Sequence, residues 1–296
     1  EEAIATPIDE GLKPLSTTND SWKYYDNYLT EVINEVKEKT GKDVFTDGLE
    51  IYTNLDIDAQ KHLYEVTNSD TYVQYPDDEI QVAATLIDAK TGKVTAQIGG
   101  RNIEEGTRLG DNLAVNTKRD VGSTVKPITV YAPAFEYLDV STGKTIVDEP
   151  YKYVGTNTPV HNWDNKYWGT MTLRTALIES RNVPAVKLFN EVGADKIEDF
   201  LSRLGIQYAK IQQANAISSN TVDQDGTKYG MSSLKLAAAY AALSNGGTYN
   251  EPQYVNKIVF ADGSEEVEAF KTPGIKAMEE TTAYMVTDIL KGVIES

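Results

Sequence analysis

A single strand-turn-strand pattern, followed by a long stretch of helical patterns, limits the fold of this sequence more than any other feature. Residues 82–87 and 94–98 are strand-like runs joined by a turn composition, so they predict an antiparallel hairpin. A lone hairpin is unstable in water, so we expect further strands, absent from this chain, to complete its sheet. Helical segments are predicted at residues 124–137, 172–180, 194–204, 232–244 and 279–293, with a further β segment at 255–260.

A smaller α/β module is predicted upstream of the hairpin. Residues 21–39 place apolar side chains on one helical face, which is typical of an amphipathic helix. Residues 49–54 form a strand-like run, and residues 57–66 predict a second helix opened by Asp56 or Asp58.

A linker is predicted between this module and the rest of the chain. Residues 72–79 combine Pro76 with an acidic run, a composition that is typical of a loop. We therefore expect two parts, a linker module at residues 1–75 and a main domain at residues 76–296.

The charge and composition exclude several classes of protein. The formal net charge is −17 and the basic residues are not clustered, which argues against nucleic acid and against an anionic membrane surface as partners. The absence of cysteine rules out disulfides, a cysteine zinc site and a thiol nucleophile. The two histidines, His62 and His161, have no metal-ligand spacing, so neither a metal nor another cofactor is expected. No apolar run is long enough to span a membrane.

Ser123 and Lys126 form the first candidate catalytic pair. With thiol and triad-histidine chemistry excluded, a serine activated by lysine is a remaining option. If Ser123 opens a helix, Lys126 lies on the same face within reach of its hydroxyl. A lysine buried at a helix N-terminus can become neutral and act as a base, and the backbone N–H of Ser123 can stabilise an oxyanion.

The Ser-x-x-Lys pattern is weak alone, because it also occurs at residues 141–144 and 232–235. The first of these has a turn composition, and the second opens an alanine-rich helix that is expected to serve packing. For Ser123 too, a helix-capping serine followed by a solvated lysine is the alternative interpretation.

A second element, Ser180-Arg181-Asn182, follows the predicted helix 172–180. The hydroxyl of Ser180 can relay a proton between Lys126 and a leaving amine, while the amide of Asn182 can hold a substrate backbone. The alternative is a helix C-terminal capping region. Ser218-Ser219-Asn220 fits the same Ser-x-Asn pattern and is expected to be a polar loop.

These motifs and their surroundings resemble the transpeptidase region of penicillin-binding proteins, in particular the bifunctional class A group of the penicillin-binding protein 1a type. The resemblance covers almost the whole chain. It is carried by residues 122–126, 180–182 and 229–247, by residues 148–151, 155–159, 162–164 and 181–186, and upstream by residues 52–56 and 58–61, which resemble that group's interdomain linker.

The resemblance implies a fold and a function. The fold is α+β, an antiparallel sheet flanked by a helical subdomain, as in penicillin-binding proteins and β-lactamases. The function is a serine D,D-transpeptidase that cross-links peptidoglycan stem peptides ending in D-Ala-D-Ala and is acylated by β-lactams. It implies a location at the extracytoplasmic face of the bacterial membrane, through an N-terminal anchor that this chain lacks.

The resemblance also implies roles for individual residues. Ser123 is the acylated nucleophile, Lys126 its general base, and Ser180 the proton relay toward the leaving D-alanine. Asn182 holds the stem peptide. Trp163 is expected to line the groove, with a core or lid aromatic as the alternative.

The family's third motif, Lys-Thr-Gly on an edge strand, does not occur after Asn182. Residues 39–41 and 90–92 have that sequence but come too early, and are expected to be a helix end and a hairpin turn. We therefore expect the chain to lack a C-terminal segment of the same protein, and to be inactive alone.

Two other functions stay open from the sequence. One is a hydrolase of the same superfamily, a β-lactamase or a D,D-carboxypeptidase, in which water resolves the acyl-enzyme. The other is a non-catalytic cell-wall scaffold module, which recruits partners through its acidic surface.

Overall fold

A computed structural model describes residues 22–104 and 109–295, so the first 21 residues of the predicted linker module lie outside the described part. The α-helices are α1 Trp22–Thr40, α2 Ile57–Asn68, α3 Leu113–Asn116, α4 Ala132–Tyr137, α5 Leu173–Ile178, α6 Asn182–Val192, α7 Ala194–Ser202, α8 Ser233–Ser244 and α9 Glu280–Glu295. Within the described ranges, no helix combines the length and apolar character that crossing a bilayer requires.

The strands are short and antiparallel, and together with the helices they confirm the predicted α+β class. They are β1 Glu50–Thr53, β2 Ala84–Ile87, β3 Val94–Ile98, β4 Thr145–Asp148, β5 Tyr151–Lys152, β6 Pro159–Val160, β7 Gly169–Thr172, β8 Thr221–Val222, β9 Lys228–Tyr229, β10 Thr248–Tyr249, β11 Val255–Val259, β12 Glu265–Glu266 and β13 Ile275–Lys276. The pairs are β1 with β11, β2 with β3, β4 with β7, β5 with β6, β8 with β9, β10 with β13 and β11 with β12.

The elements predicted before residue 75 form where local patterning placed them. Helix α1 is followed by Gly41, whose φ of 71° suits the residue that leaves a helix. Asp56, rather than Asp58, caps α2, because its Oδ1 accepts from the backbone N–H groups of Asp58 and Ala59 at 3.0 and 2.9 Å.

Strand β1 pairs with β11, so the two predicted parts share one sheet. Ile51 lies opposite Ile258, and a common core contains Tyr28 of α1 together with Val255 of β11. The predicted β segment at residues 255–260 is thereby confirmed as β11. The division at residue 75 stays a prediction, and the packing shows that α1 and β1 are built into the main domain's own core.

The predicted hairpin is formed by β2 and β3, with Thr85 opposite Gln97. Helix α2 lies against it through paired amide groups. Gln60 Nε2 donates to the carbonyl of Gln97 at 2.9 Å, and the Gln97 N–H donates to Gln60 Oε1 at 2.8 Å. Because Gln60 and Gln97 are both fully buried, these bonds satisfy polar groups that water cannot reach.

A second and larger core lies between the helices α4 to α9. The helices predicted at residues 172–180, 194–204, 232–244 and 279–293 are confirmed as α5, α7, α8 and α9. Helix α6 was not predicted, because residues 180–182 were interpreted as the end of one helix with no helix after them. Val183, Val186 and Phe189 are buried at helical spacing and could have revealed it.

Candidate active site

The Ser123 turn is tighter than the continuous helix predicted for residues 124–137. Gly122–Val125 is a 3₁₀ turn, Pro127–Tyr131 is a π turn, and α4 follows. The backbone N–H of Lys126 donates to the carbonyl of Ser123, and side chains three residues apart eclipse in a 3₁₀ turn. Ser123 and Lys126 therefore leave the chain on one side, with Ser123 exposed and Lys126 fully buried.

The amine of Lys126 brings together two elements that are distant in sequence. Its Nζ lies 2.6 Å from the carbonyl oxygen of Ser180, 3.0 Å from Ser180 Oγ and 2.7 Å from Asn182 Oδ1. The structure thus places Lys126, Ser180 and Asn182 in one cluster, one turn after Ser123. None of these three acceptors carries a charge.

The surroundings of Lys126 favour its neutral form. Burial and then the positive charge of Arg181 lower the pKa of Lys126 to about 7. A substantial fraction of the molecules therefore carries a neutral amine at neutral pH, whereas an ordinary lysine is almost wholly protonated there. A group in this state can accept a proton from a serine hydroxyl.

Ser180 lies in the short connection between α5 and α6 and has a left-handed backbone, with a φ of 50°. Its N–H donates to the carbonyl of Leu177 at 3.0 Å, and the next N–H, of Arg181, donates to the carbonyl of Ala176 at 2.9 Å. Serine adopts this conformation at a cost, so its neighbours must hold it in place. The conformation directs both the carbonyl and the hydroxyl of Ser180 at the Lys126 amine.

Arg181, for which no role was predicted, fixes this connection through its side-chain hydrogen bonds. Its side chain is fully buried; Nε donates to Asp148 Oδ2 and Nη1 to Asp164 Oδ2, each at 3.0 Å. The guanidinium carbon also lies 4.5 Å from the ring centroid of Trp168. Asp148 and Asp164 both belong to the segments that carried the resemblance, but nothing local in the sequence pairs them with Arg181.

Asn162 fixes the first turn of α6, which begins at Asn182. Its Oδ1 accepts from the N–H groups of Asn182 and Val183 at 2.8 and 3.2 Å, and its Nδ2 donates to Asp148 Oδ1 at 2.8 Å. The Asn182 side chain is oriented at both ends, because its Nδ2 donates to the carbonyl of His161 at 2.8 Å. Loop residues 161–168 therefore position Asn182 as well as Arg181.

Trp163 belongs to the same loop and is 67% exposed. Its Nε1 donates to the carbonyl of Glu179, the residue before Ser180, at 3.2 Å. The exposure excludes the core aromatic that was one alternative for Trp163. Groove lining and the lid aromatic remain as the two interpretations of Trp163.

The remaining Ser-x-x-Lys and Ser-x-Asn patterns lie outside this cluster. Ser141 is exposed beside a turn, and Ser232 caps α8 by accepting the N–H of Lys235 at 3.3 Å. Both agree with the predictions. Residues 218–220 form the polar loop predicted there, in which Ser219 is fully buried and hydrogen-bonds to the backbone that leads into Ser123.

Comparisons with known proteins identify the family of the chain. Residues 82–296 match the family model described as the penicillin binding protein transpeptidase domain. The chain is 55% identical to penicillin-binding protein 1A of Streptococcus pneumoniae over 295 residues, which cover 99% of this chain and 41% of that protein. It is 41% identical to penicillin-binding protein 1A/1B of Bacillus subtilis over 273 residues, covering 92% of this chain and 29% of that protein.

A solved structure shows the same fold. The structure of PonA1 from Mycobacterium tuberculosis in complex with penicillin V has a TM-score of 0.67 and 24% sequence identity, and the alignment covers 89% of this chain and 70% of that one. The chain spans less than half the length of the two curated relatives. The resemblance predicted from the motifs is confirmed, and the chain belongs to the penicillin-binding protein transpeptidase domain family.

Proposed function

We propose that this chain carries the acylation machinery of a serine D,D-transpeptidase that cross-links peptidoglycan stem peptides. The observation that carries the proposal is the buried Lys126, whose pKa is lowered to about 7 and whose amine hydrogen-bonds to uncharged groups of Ser180 and Asn182. It follows the exposed Ser123 by one 3₁₀ turn. A base that is partly neutral at neutral pH suits the activation of a serine hydroxyl.

The first step is acylation of Ser123. A neutral amine has two hydrogens, and the carbonyl of Ser180 and Oδ1 of Asn182 accept them. The nitrogen lone pair then accepts the Ser123 proton while Oγ bonds to the carbonyl carbon of the penultimate D-alanine. We assign the backbone N–H of Ser123 to stabilise the oxyanion that develops.

The second step expels D-alanine and the third resolves the acyl-enzyme. The proton held by Lys126 passes through the hydroxyl of Ser180, 3.0 Å away, to the leaving nitrogen as the C–N bond breaks. An amine of a neighbouring stem peptide then attacks the ester. The proton that this amine loses passes through Ser180 Oγ to Lys126, and from Lys126 to Ser123 Oγ as the ester bond breaks.

Asn182 and Trp163 are assigned to substrate binding. The amide nitrogen of Asn182 has two hydrogens, of which the carbonyl of His161 accepts one, and we assign the other to a backbone carbonyl of the stem peptide. The exposed ring of Trp163 offers an apolar wall at the rim of the same cluster.

The carboxylates near the cluster favour a transpeptidase over a β-lactamase. Water attack on the acyl-enzyme in a β-lactamase needs a carboxylate to activate the water. Among the residues that the structure describes, the Arg181 guanidinium binds both Asp148 and Asp164, and neither contacts Lys126. We therefore expect an acyl-enzyme with penicillin that lasts for hours, whereas a lifetime of seconds would favour the hydrolase.

The proposal extends to inhibition and location. The M. tuberculosis relative was solved with penicillin V, and β-lactams mimic the D-Ala-D-Ala end of the stem peptide, so we expect them to acylate Ser123. Stem peptides are cross-linked outside the cytoplasm. The site is therefore placed at the extracytoplasmic face of the membrane.

The test is labelling with a fluorescent penicillin, in the longest natural polypeptide that contains this sequence. Ser123→Ala should abolish labelling, and peptide mapping should find the adduct on Ser123. Ser141→Ala is the matched control, because Ser141 also precedes a lysine by three residues but lies exposed beside a turn. Undiminished labelling of Ser123→Ala would refute the proposal.

Two further measurements separate the alternatives. If Ser123→Ala supports cell-wall growth in cells that lack the wild-type protein, the scaffold function is correct and the transpeptidase is wrong. The 296 residues contain no Lys-Thr-Gly after Asn182. The resemblance implies that the Lys-Thr-Gly strand supplies a second oxyanion donor. Since loss of one such donor costs about 100-fold or more, we expect the 296-residue polypeptide alone to be labelled slowly.

A further inference from the structure

Ser219 is a buried hydroxyl that the proposed chemistry does not use. It is fully buried, and it belongs to the second Ser-x-Asn pattern of the sequence. Its Oγ donates to the carbonyl of Arg119 at 2.8 Å and accepts from the N–H of Val121 at 3.0 Å. The hydroxyl therefore ties together two backbone groups on either side of Asp120.

The carboxylate of Asp120 accepts three hydrogen bonds that fix the same stretch of backbone. Its Oδ1 accepts from the N–H groups of Gly122 and Ser219, both at 2.9 Å, and its Oδ2 accepts from Ser218 Oγ at 2.8 Å. Burial opposes ionisation, but these hydrogen bonds outweigh it and hold the pKa of Asp120 below its ordinary value. The clasp, defined as Asp120 with Ser218 and Ser219, is therefore closed by an ionised carboxylate at neutral pH.

The hydrogen bonds of the clasp extend to Gly122, the residue before Ser123. Gly122 has a φ of 54°, and the space that its missing Cβ would occupy is empty, so the glycine is required by the backbone rather than by crowding. Its N–H is bonded to Asp120 and the preceding N–H, of Val121, to Ser219. A backbone held at two successive N–H groups has little freedom to move the exposed Ser123 that follows.

The other side of this segment is also fixed. The N–H of Arg119 donates to the carbonyl of Met231 at 3.0 Å, and the Met231 N–H donates back at 2.9 Å. The Arg119 carbonyl thus accepts from both Met231 and Ser219. The backbone before the Ser123 turn is therefore hydrogen-bonded on one side to the loop that contains Ser219 and on the other to Met231, which follows β9.

We propose that Ser219 and Asp120 are positioning residues that hold Ser123 and its backbone N–H in the geometry required for acylation. They act through the backbone N–H groups of Val121 and Gly122, to which their side chains are hydrogen-bonded. The proposal rests on the function proposed above, in which Ser123 is the nucleophile. A displacement of about 1 Å in such a site costs on the order of 100-fold in rate.

The test separates the acylation rate constant from the affinity for the antibiotic, by following fluorescent penicillin labelling over a range of concentrations in the longest natural polypeptide containing this sequence. Ser219→Ala should slow the acylation step about 10- to 100-fold. The dissociation constant of the non-covalent complex should change less than about two-fold, because the fully buried Ser219 hydroxyl is out of a ligand's reach. The proposal would be overturned if the acylation rate constant and the affinity fell by the same factor, or if the acylation rate constant did not change.

Asp120→Asn serves as the second variant, in case Ser219→Ala lowers the melting temperature. Asparagine keeps an oxygen for the N–H groups of Gly122 and Ser219 but loses the charge, so we expect a smaller loss of about five-fold. A wild-type acylation rate in this variant would also count against the clasp.

The chain contains a matched control in Asp262 and Ser264. There too an aspartate accepts from a serine hydroxyl, at 2.6 Å, and from the same serine's N–H, at 2.9 Å, but the pair lies in the turn between β11 and β12. Ser264→Ala and Asp262→Asn should leave acylation unchanged. If Ser123→Ala still labels, the proposed function fails; if it does not label while Ser219→Ala labels normally, only the positioning role fails.

Discussion

The amine of Lys126 lies 2.7 Å from Oδ1 of Asn182, a residue 56 positions later in the chain. That amide oxygen is uncharged, as are the other two acceptors around the amine. A buried ammonium normally requires a carboxylate partner, and here the neighbouring charge is the cation of Arg181. The site therefore stabilises the neutral amine, and the predictions below follow from that state.

The first prediction concerns the pH dependence of acylation. The rate of Ser123 labelling by a fluorescent penicillin should rise with pH, with a midpoint near the pKa of Lys126, which burial and Arg181 lower to about 7. Lys126→Arg should lose about 1,000-fold, because a guanidinium stays protonated. Rapid-quench labelling between about pH 5.5 and 9 measures both. A rate that is flat with pH in the wild type would contradict the assignment of Lys126 as the base.

The second prediction concerns stability. The pKa of Lys126 is about 7 in the folded chain and about 10.4 when unfolded, so between these values the unfolded state binds more protons. The free energy of unfolding should therefore rise with pH from about 7 to about 10 relative to Lys126→Met, by a few kcal/mol at most. Below pH 7 both states are protonated, and the difference should level off.

Urea unfolding of wild type and Lys126→Met at each pH measures this difference, and other titrating groups cancel in the comparison. Lys235→Met is the matched control, since Lys235 is the exposed lysine of another Ser-x-x-Lys pattern. If Lys235→Met shows the same trend, burial of Lys126 is not its cause.

Local patterns predicted much of the fold, because helix α1 and the capped helix α2 depend on side chains within a few positions of one another. The pairing of Ile51 with Ile258 could not be predicted in this way, since neither strand shows which partner it will find. Helix α6 was missed although its apolar spacing was visible. The Ser180-Arg181-Asn182 motif was treated as a helix end, when it is the connection between two helices.

Of the candidate site, the sequence predicted the motif residues but not the side chains that hold them in place. Lys126, Ser180 and Asn182 do meet, whereas the Arg181 partners Asp148 and Asp164 come from separate loops and carry no local signal. The mixed 3₁₀ and π turn was also unforeseen, although Pro127 lacks the N–H that a continuous helix requires.

The third prediction concerns the buried pair of Arg181 and Asp148. Asp148 accepts from Arg181 Nε at 3.0 Å and Nη2 at 2.9 Å, and both side chains are fully buried. Asp148→Asn leaves the guanidinium without its main counter-charge, so we expect a loss of about 3–5 kcal/mol in urea unfolding. Asp164→Asn should cost less, because Asp164 meets Arg181 through one nitrogen and is partly exposed. A larger loss in Asp164→Asn would mean that the pair is assigned wrongly.

The last prediction separates the backbone of Ser180 from its hydroxyl. Ser180 has a φ of 50°, a region that glycine enters freely and other residues enter at a cost of about 1 kcal/mol. Ser180→Gly should therefore be more stable than Ser180→Ala by about 1 kcal/mol, while both lose the proton relay and acylate about 100-fold more slowly. Asp139, an exposed residue with a φ of 51°, gives the matched pair Asp139→Gly and Asp139→Ala. That pair should reproduce the stability difference without any change in acylation, because Asp139 has the same backbone but lies outside the cluster.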